Sequence, residues 1–158
     1  MHTVFASEAL APLGKQGPDL PVVHVLGNHC LAVPRAELLA RLRMPRTAAG
    51  GGGYYSLALP GSGASWQLVV LDTTEMSGHS GQAPGSAAAL EAAAFKEAHP
   101  LGEAHPQMSD WNGGITQAQL AWLRAELAAA EASGQRVLVA SHHQPSNGSS
   151  KPIAASNQ

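Results

Sequence analysis

Cys30 is the only cysteine in the chain, so no internal disulfide can form. That usage fits a reducing compartment. Charge is also scarce: Asp, Glu, Lys and Arg together make up 13% of the residues, against the ~25% usual for globular proteins. The net charge of −2 leaves no basic field to attract nucleic acid or anionic lipid, and neither is expected as a partner. No apolar run reaches the ~18 residues of a membrane span. Met1 to Leu10 lacks the basic-then-apolar layout of a signal peptide. The expectation is a cytoplasmic, monomeric protein.

What is present suits one domain. Hydrophobic residues make up 44% of 158, enough for a real core, and alanine and glycine fill the space that charge leaves. Residues 1–14 read as the tail of a helix closed by Gly14. The run Leu20 to Leu26 is nearly continuous in apolar residues and reads as a buried strand. Pro34 opens a helix running to about Arg43, with Leu38, Leu39 and Leu42 as its stripe. Tyr54–Leu59 and Trp66–Leu71 read as a hairpin joined by the loop 60–64. An alanine-rich helix follows from Ser86 to about Ala98, with Leu90 and Phe95 inward. The helix from Thr116 to Gly134 is the best marked. Thr116 and Gln119 form a capping box, and Leu120, Leu123 and Leu127 form its buried stripe. Arg136–Ala140 is a last strand, and residues 146–158 form a loose polar tail. Strands alternating with helices imply an α/β class.

Two strands end in histidine. Leu26-Gly27-Asn28-His29-Cys30 follows the first, and Ser141-His142-His143-Gln144-Pro145 follows the last. In an open α/β sheet, ligands bind outside the carboxyl ends of the strands. Glycine at position 27 allows a sharp turn. An amide oxygen and imidazole nitrogens suit divalent transition metals. The competing reading makes the second turn a plain strand end, with one histidine bonded to backbone. Asp72 and Glu75, just past a strand, read either as catalytic carboxylates or as caps of the following turn. His29 and Cys30 are adjacent, which rarely aligns two side chains for nucleophilic catalysis. His24 alternates with valines and reads as a core histidine, whereas His79, His99 and His105 read as exposed. The glycines Gly50–Gly53 lack the Lys-Ser/Thr of a phosphate-binding loop.

Taken in order, Val25-Leu26-Gly27-Asn28-His29, Val69-Val70-Leu71-Asp72, Asn112-Gly113-Gly114-Ile115 with Gln119-Leu120-Ala121-Trp122-Leu123, and Val139-Ala140-Ser141-His142-His143 resemble the calcineurin-like metallophosphoesterases. Within them, the stretches around Cys30-Leu31 and Asp72-Thr73-Thr74-Glu75-Met76-Ser77-Gly78-His79 are most similar to the plant-type manganese-dependent ADP-ribose/CDP-alcohol diphosphatases. The resemblance implies a four-layer α/β/β/α sandwich with two divalent metals, manganese by preference, at the strand ends. It implies Asn28 and His142 as ligands of the second metal and His29 as the group beside the leaving oxygen. The substrate it implies is a nucleotide diphosphate derivative of ADP-ribose or CDP-alcohol type. Loops 73–85 and 99–115 would border the pocket, and Trp111 would either stack a base or simply pack.

The family's Asp-x-His and Gly-Asp-x-x-Asn/Asp strands should precede Gly27, and its Gly-His-x-His should follow His142; neither occurs. Residues 1–145 therefore read as an incomplete domain that lacks the first and the C-terminal strands and keeps only part of the second metal site. Two neutral ligands cannot offset the charge of two divalent ions. A non-catalytic module serving as an interaction protein is the alternative. These 158 residues alone are expected to be inactive and weakly stable. Incubating the chain with Mn²⁺ and ADP-ribose checks this, with background hydrolysis the expected result and turnover well above it the refutation.

Overall fold

A computed structural model describes residues 22–45, 52–59, 65–102 and 109–144. The expected helix over 1–14, the loop 60–64, His105, Gly50, Gly51 and the tail 146–158 lie outside the described residues. Among the described residues the order is a 3₁₀ helix (Asn28–Ala32), α1 (Arg35–Arg41), β1 (Tyr55–Leu59), β2 (Trp66–Val70), α2 (Ala87–Ala98), α3 (Gln117–Ala132) and β3 (Arg136–Ala140). No helix among them is long and apolar enough to cross a membrane.

The strands form one mixed sheet in the order β1-β2-β3. β1 and β2 pair antiparallel, Tyr55 opposite Val70 and Leu59 opposite Trp66, as the hairpin reading requires. β2 and β3 pair parallel, Trp66 opposite Arg136 and Val70 opposite Ala140, with α2 and α3 in the crossover. A parallel pair needs such a long connection. Alternation then sorts the faces. Tyr55, Leu57, Leu68 and Val70 share one face with Ala140. That face meets Leu26, Leu38 and Met44 in the main apolar core. On the other face, Ser56 and Gln67 both donate to the Glu126 carboxylate of α3, at 2.8 and 2.6 Å.

Several expectations require correction. Residues 22–26 carry no strand. The segment is tied instead by one side chain: the Tyr55 hydroxyl accepts from the His24 amide at 3.0 Å and donates to the His24 carbonyl at 2.8 Å. Leu90 is 61% exposed, because α2 buries only Ala92. Along α3 the buried line is also rotated. Leu127 is 40% exposed, whereas Gln119 and Ala130 are buried. The helix turns Gln119 toward Asp72 and Glu126 toward the sheet, and Trp122 lies 4.8 Å from the Tyr54 ring. Polar partners on the sheet thus set its rotation, which a purely apolar stripe cannot register.

The end of β2 is held by a buried polar knot. Asp72, fully buried, receives the Arg35 guanidinium in an ion pair and caps its own turn by accepting from the Thr74 amide at 3.1 Å. Arg35 also donates to the Ser80 carbonyl at 2.7 Å and to the Thr74 hydroxyl at 3.1 Å. Burial draws the guanidinium below its ordinary pKa, against the opposing pull of the Glu75 charge. Gln119 clasps the Asp72 backbone from both sides, its Oε1 accepting from the amide at 2.9 Å and its Nε2 donating to the carbonyl at 3.0 Å. Thr116 caps α3 as expected, accepting from the Gln119 amide. The reciprocal half of the capping box comes from Glu75, not Gln119: its Oε2 accepts from the Thr116 amide at 3.4 Å, and from the Thr116 hydroxyl at 2.8 Å. Gly53 belongs here too. Its φ is +136°, and a Cβ would collide with the Asp72 carboxylate.

Removing one partner of a buried pair leaves an uncompensated charge. Arg35→Ala is therefore expected to cost about 3–5 kcal/mol in urea unfolding. Arg41→Ala breaks only the exposed Arg41–Glu37 pair on α1 and is expected to stay within about 0.5 kcal/mol of the parent.

Candidate active site

Gly27 leads from the 22–27 segment into the 3₁₀ helix, and the Cys30 amide donates to its carbonyl at 3.0 Å. Its φ of −117° is open to any residue, so the sharp-turn argument for this glycine does not hold. The requirement lies elsewhere: a Cβ at Gly27 would stand 2.8 Å from Cε1 and Nδ1 of His142. Glycine lets the loop after β3 close against the segment before Asn28.

That approach brings the two turns together. His142 Nε2 lies 3.2 Å from Asn28 Oδ1, across 114 positions of sequence. The carboxamide's orientation follows from its other partners. Oδ1 accepts from the His29 amide at 3.0 Å, and Nδ2 donates to the Trp111 carbonyl at 3.3 Å. An amide N–H can only donate and a carbonyl can only accept, so oxygen must face His29 and nitrogen must face Trp111.

His143 bonds the loops instead of Asn28 Oδ1. Its Nε2 donates to the same Trp111 carbonyl at 2.8 Å, and its Nδ1 lies 2.8 Å from the Thr73 hydroxyl. The Thr73 hydroxyl in turn accepts from the His143 amide at 3.1 Å. Since a carbonyl cannot donate, the ring carries its proton on Nε2 and receives the Thr73 hydroxyl proton at Nδ1. Burial lowers the pKa of this ring below the ordinary histidine value, opposed by its bond to the Trp111 carbonyl. The two readings of the double histidine thus divide between its members. His142 meets Asn28, and His143 is the histidine bonded to backbone.

A groove of about 560 Å³ opens beside this cluster, lined by Asn28, His29, Leu31, His79, Gly81 and Trp111 among others. His29 and Cys30 are exposed. Trp111 is 63% exposed. The loops after β2 and before α3 do border the groove, through His79, Gly81 and Trp111. Asp72 and Glu75 do not line it; both serve the knot. His99 is half-buried against Phe95 rather than exposed, with ring centroids 4.3 Å apart. Arg35, Thr73 and the Trp111 carbonyl escape a reading of the sequence. An arginine in a first helical turn reads as a solvated charge, and a backbone acceptor has no signature. Among the described residues, no group of three or more His, Cys, Asp or Glu side chains is placed to hold a metal ion.

No family model matches the chain. Two plant proteins do. The manganese-dependent ADP-ribose/CDP-alcohol diphosphatase of Arabidopsis thaliana is 34% identical over 134 residues, which cover 77% of this chain and 41% of that protein. The protein of the same description from Oryza sativa subsp. japonica is 30% identical over 136 residues, covering 78% of this chain and 40% of its own length. The crystal structure of a dimetal phosphatase from Danio rerio superposes with a TM-score of 0.67 at 22% identity, over 99% of this chain and 51% of that one. The chain therefore spans about 40% of the length of the plant relatives and has the mixed α/β fold of part of a dimetal phosphatase. On these grounds the chain is homologous to the manganese-dependent ADP-ribose/CDP-alcohol diphosphatases over about 40% of their length, and it shares its fold with part of a dimetal phosphatase.

Proposed function

We propose that the protein to which these residues belong is a metal-dependent phosphohydrolase of nucleotide diphosphate derivatives, of ADP-ribose or CDP-alcohol type. The observation that carries this reading is the 3.2 Å approach of Asn28 Oδ1 and His142 Nε2 beside an open groove. Cations of the zinc and manganese class hold nitrogen and oxygen donors at about 2.0–2.2 Å, so two donors at right angles on one ion stand about 3 Å apart. The pair fits that spacing. An amide oxygen and an imidazole nitrogen also suit such an ion chemically. They amount to part of one coordination sphere, in keeping with a partial second site in a two-metal centre. The names of the plant relatives support manganese and the substrate class.

Bound there, a divalent cation would neutralise phosphate charge and favour attack by water. Asn28 and His142 would hold it by Oδ1 and Nε2. His29 follows Asn28 in the chain and lines the groove, where its imidazole is suited to hold or give a proton to the departing oxygen. Its backbone amide also fixes the Asn28 oxygen. We further propose that the whole domain is a four-layer α/β/β/α sandwich. The exposure of Leu138 at 51% and Val139 at 46%, on opposite faces of β3, supports further cover on both sides of that strand.

Mn²⁺ titrated into the chain is expected to broaden the NMR signals of Asn28 and His142 before others. Asn28→Ala and His142→Ala should each raise the apparent Kd about tenfold or more. Gly27→Ala, which pushes its Cβ into the His142 ring, should do the same without deleting a donor. Equal uptake by all three variants would contradict the assignment.

A further inference from the structure

We infer that His143 is a positioning residue, which aims the Asn28 oxygen at His142 through the Trp111 carbonyl; this use of the carboxamide rests on the reading above. The chain of contacts is continuous. Thr73, just past β2, holds His143 by two hydrogen bonds, one to the ring and one from the amide, at 2.8 and 3.1 Å. The ring spans to the Trp111 carbonyl at 2.8 Å. That carbonyl accepts from Asn28 Nδ2 at 3.3 Å and so fixes which end of the carboxamide faces which way. With nitrogen committed to Trp111, oxygen is left toward His142. A flipped carboxamide would set an N–H against the His29 amide and leave an oxygen against the carbonyl, two repulsive contacts.

The loop that carries Trp111 depends on the same strut. On either side of Trp111 it is tied by the Gly114 amide donating to the Thr73 carbonyl at 2.9 Å, the Gly78 amide and the Ser77 hydroxyl donating to the Asp110 carbonyl at 2.9 Å each, Lys96 on the Asp110 carboxylate, and the Asn112 amide donating to the Ser109 carbonyl at 3.0 Å. None of these bonds is made by Trp111 itself. Among the described residues its carbonyl accepts from His143 at 2.8 Å and from Asn28 at 3.3 Å, so the histidine is the closer of the two donors that hold it. The packing agrees: a Cβ at Gly113 would strike both the Thr73 carbonyl and the His143 ring. Glycine there lets the loop close over the ring. Ligand-orienting groups of this kind commonly alter metal affinity by about 10–100-fold when removed.

The test uses the 158-residue chain, labelled with ¹⁵N, and Mn²⁺ as the probe. His143→Leu removes the Trp111 contact and keeps an apolar side chain in its place. It is expected to shift the Asn28 side-chain amide signals and to raise the apparent Kd for Mn²⁺ about tenfold. His143→Gln keeps an N–H able to reach the carbonyl and should recover most of both. A merely structural role would not follow the donor in this way. If the leucine variant does not fold, His143→Gln is compared with Thr73→Val, which removes the ring's other partner. Loosening of the Asn28 amide in Thr73→Val, with retention in His143→Gln, supports the inference. Unchanged Asn28 signals in His143→Leu, or in Thr73→Val where the former is unfolded, overturn it, as does an unchanged Mn²⁺ affinity beside normal wild-type binding. If the wild-type chain takes up no Mn²⁺ at Asn28 and His142, the functional reading fails, and the Asn28 signals alone decide the positioning role.

Discussion

The Asp72 carboxylate fixes the end of the central strand, and the rest of the described structure takes its bearings from it. It lies fully buried, which is tolerable only with a matched cation and donors around it. Arg35 supplies the cation from α1, and Thr74 the donors from the next turn. Gln119 reaches from α3 to clasp the same residue's backbone. One position therefore binds a helix on each side of the sheet to the strand between them. Thr73 comes next in the chain, and the knot sets its place. From Thr73 the order passes to His143, to the Trp111 carbonyl, and to Asn28. The candidate active site is the outer end of a line of polar contacts that begins in the core.

Much of this architecture is legible in the sequence because it rests on local rules. Pro34 opens α1, Thr116 caps α3 and Gly134 closes it, each through backbone chemistry acting within one turn. The hairpin follows from two alternating runs. Errors arise where distant partners override the local rule. Gln119 satisfies the capping-box pattern, yet its side chain goes to Asp72, and Glu75 completes the box at the Thr116 amide. The stripe of leucines on α3 is correct in period but wrong in phase, because polar groups on the sheet draw Glu126 inward. Gly27 is needed, but for room against His142 and not for a turn.

The site divides in the same way. Asn28, His29 and His142 stand in motifs and can be picked from the chain, and the structure brings Asn28 and His142 together. What joins them cannot be picked out. The acceptor that orients Asn28 is a backbone carbonyl, a group that every residue carries. His143 and His142 are chemically identical in sequence, and only the fold gives them different partners. Arg35 has no motif at all; burial beside Asp72 makes it central. The homology to the plant diphosphatases ties the motifs to one another, but the contact network beneath them is visible only in three dimensions.

The pairing of β2 with β3 has a kinetic side. Those strands are joined across two helices, and Asn28 meets His142 only after 114 positions have been gathered in. Closing loops of that length carries an entropic penalty before any contact rewards it, so such pairings form late. The hairpin and the helices can assemble early from near neighbours. The meeting of Asn28 and His142 therefore comes after the hairpin and the described helices, and it waits on the docking of β3.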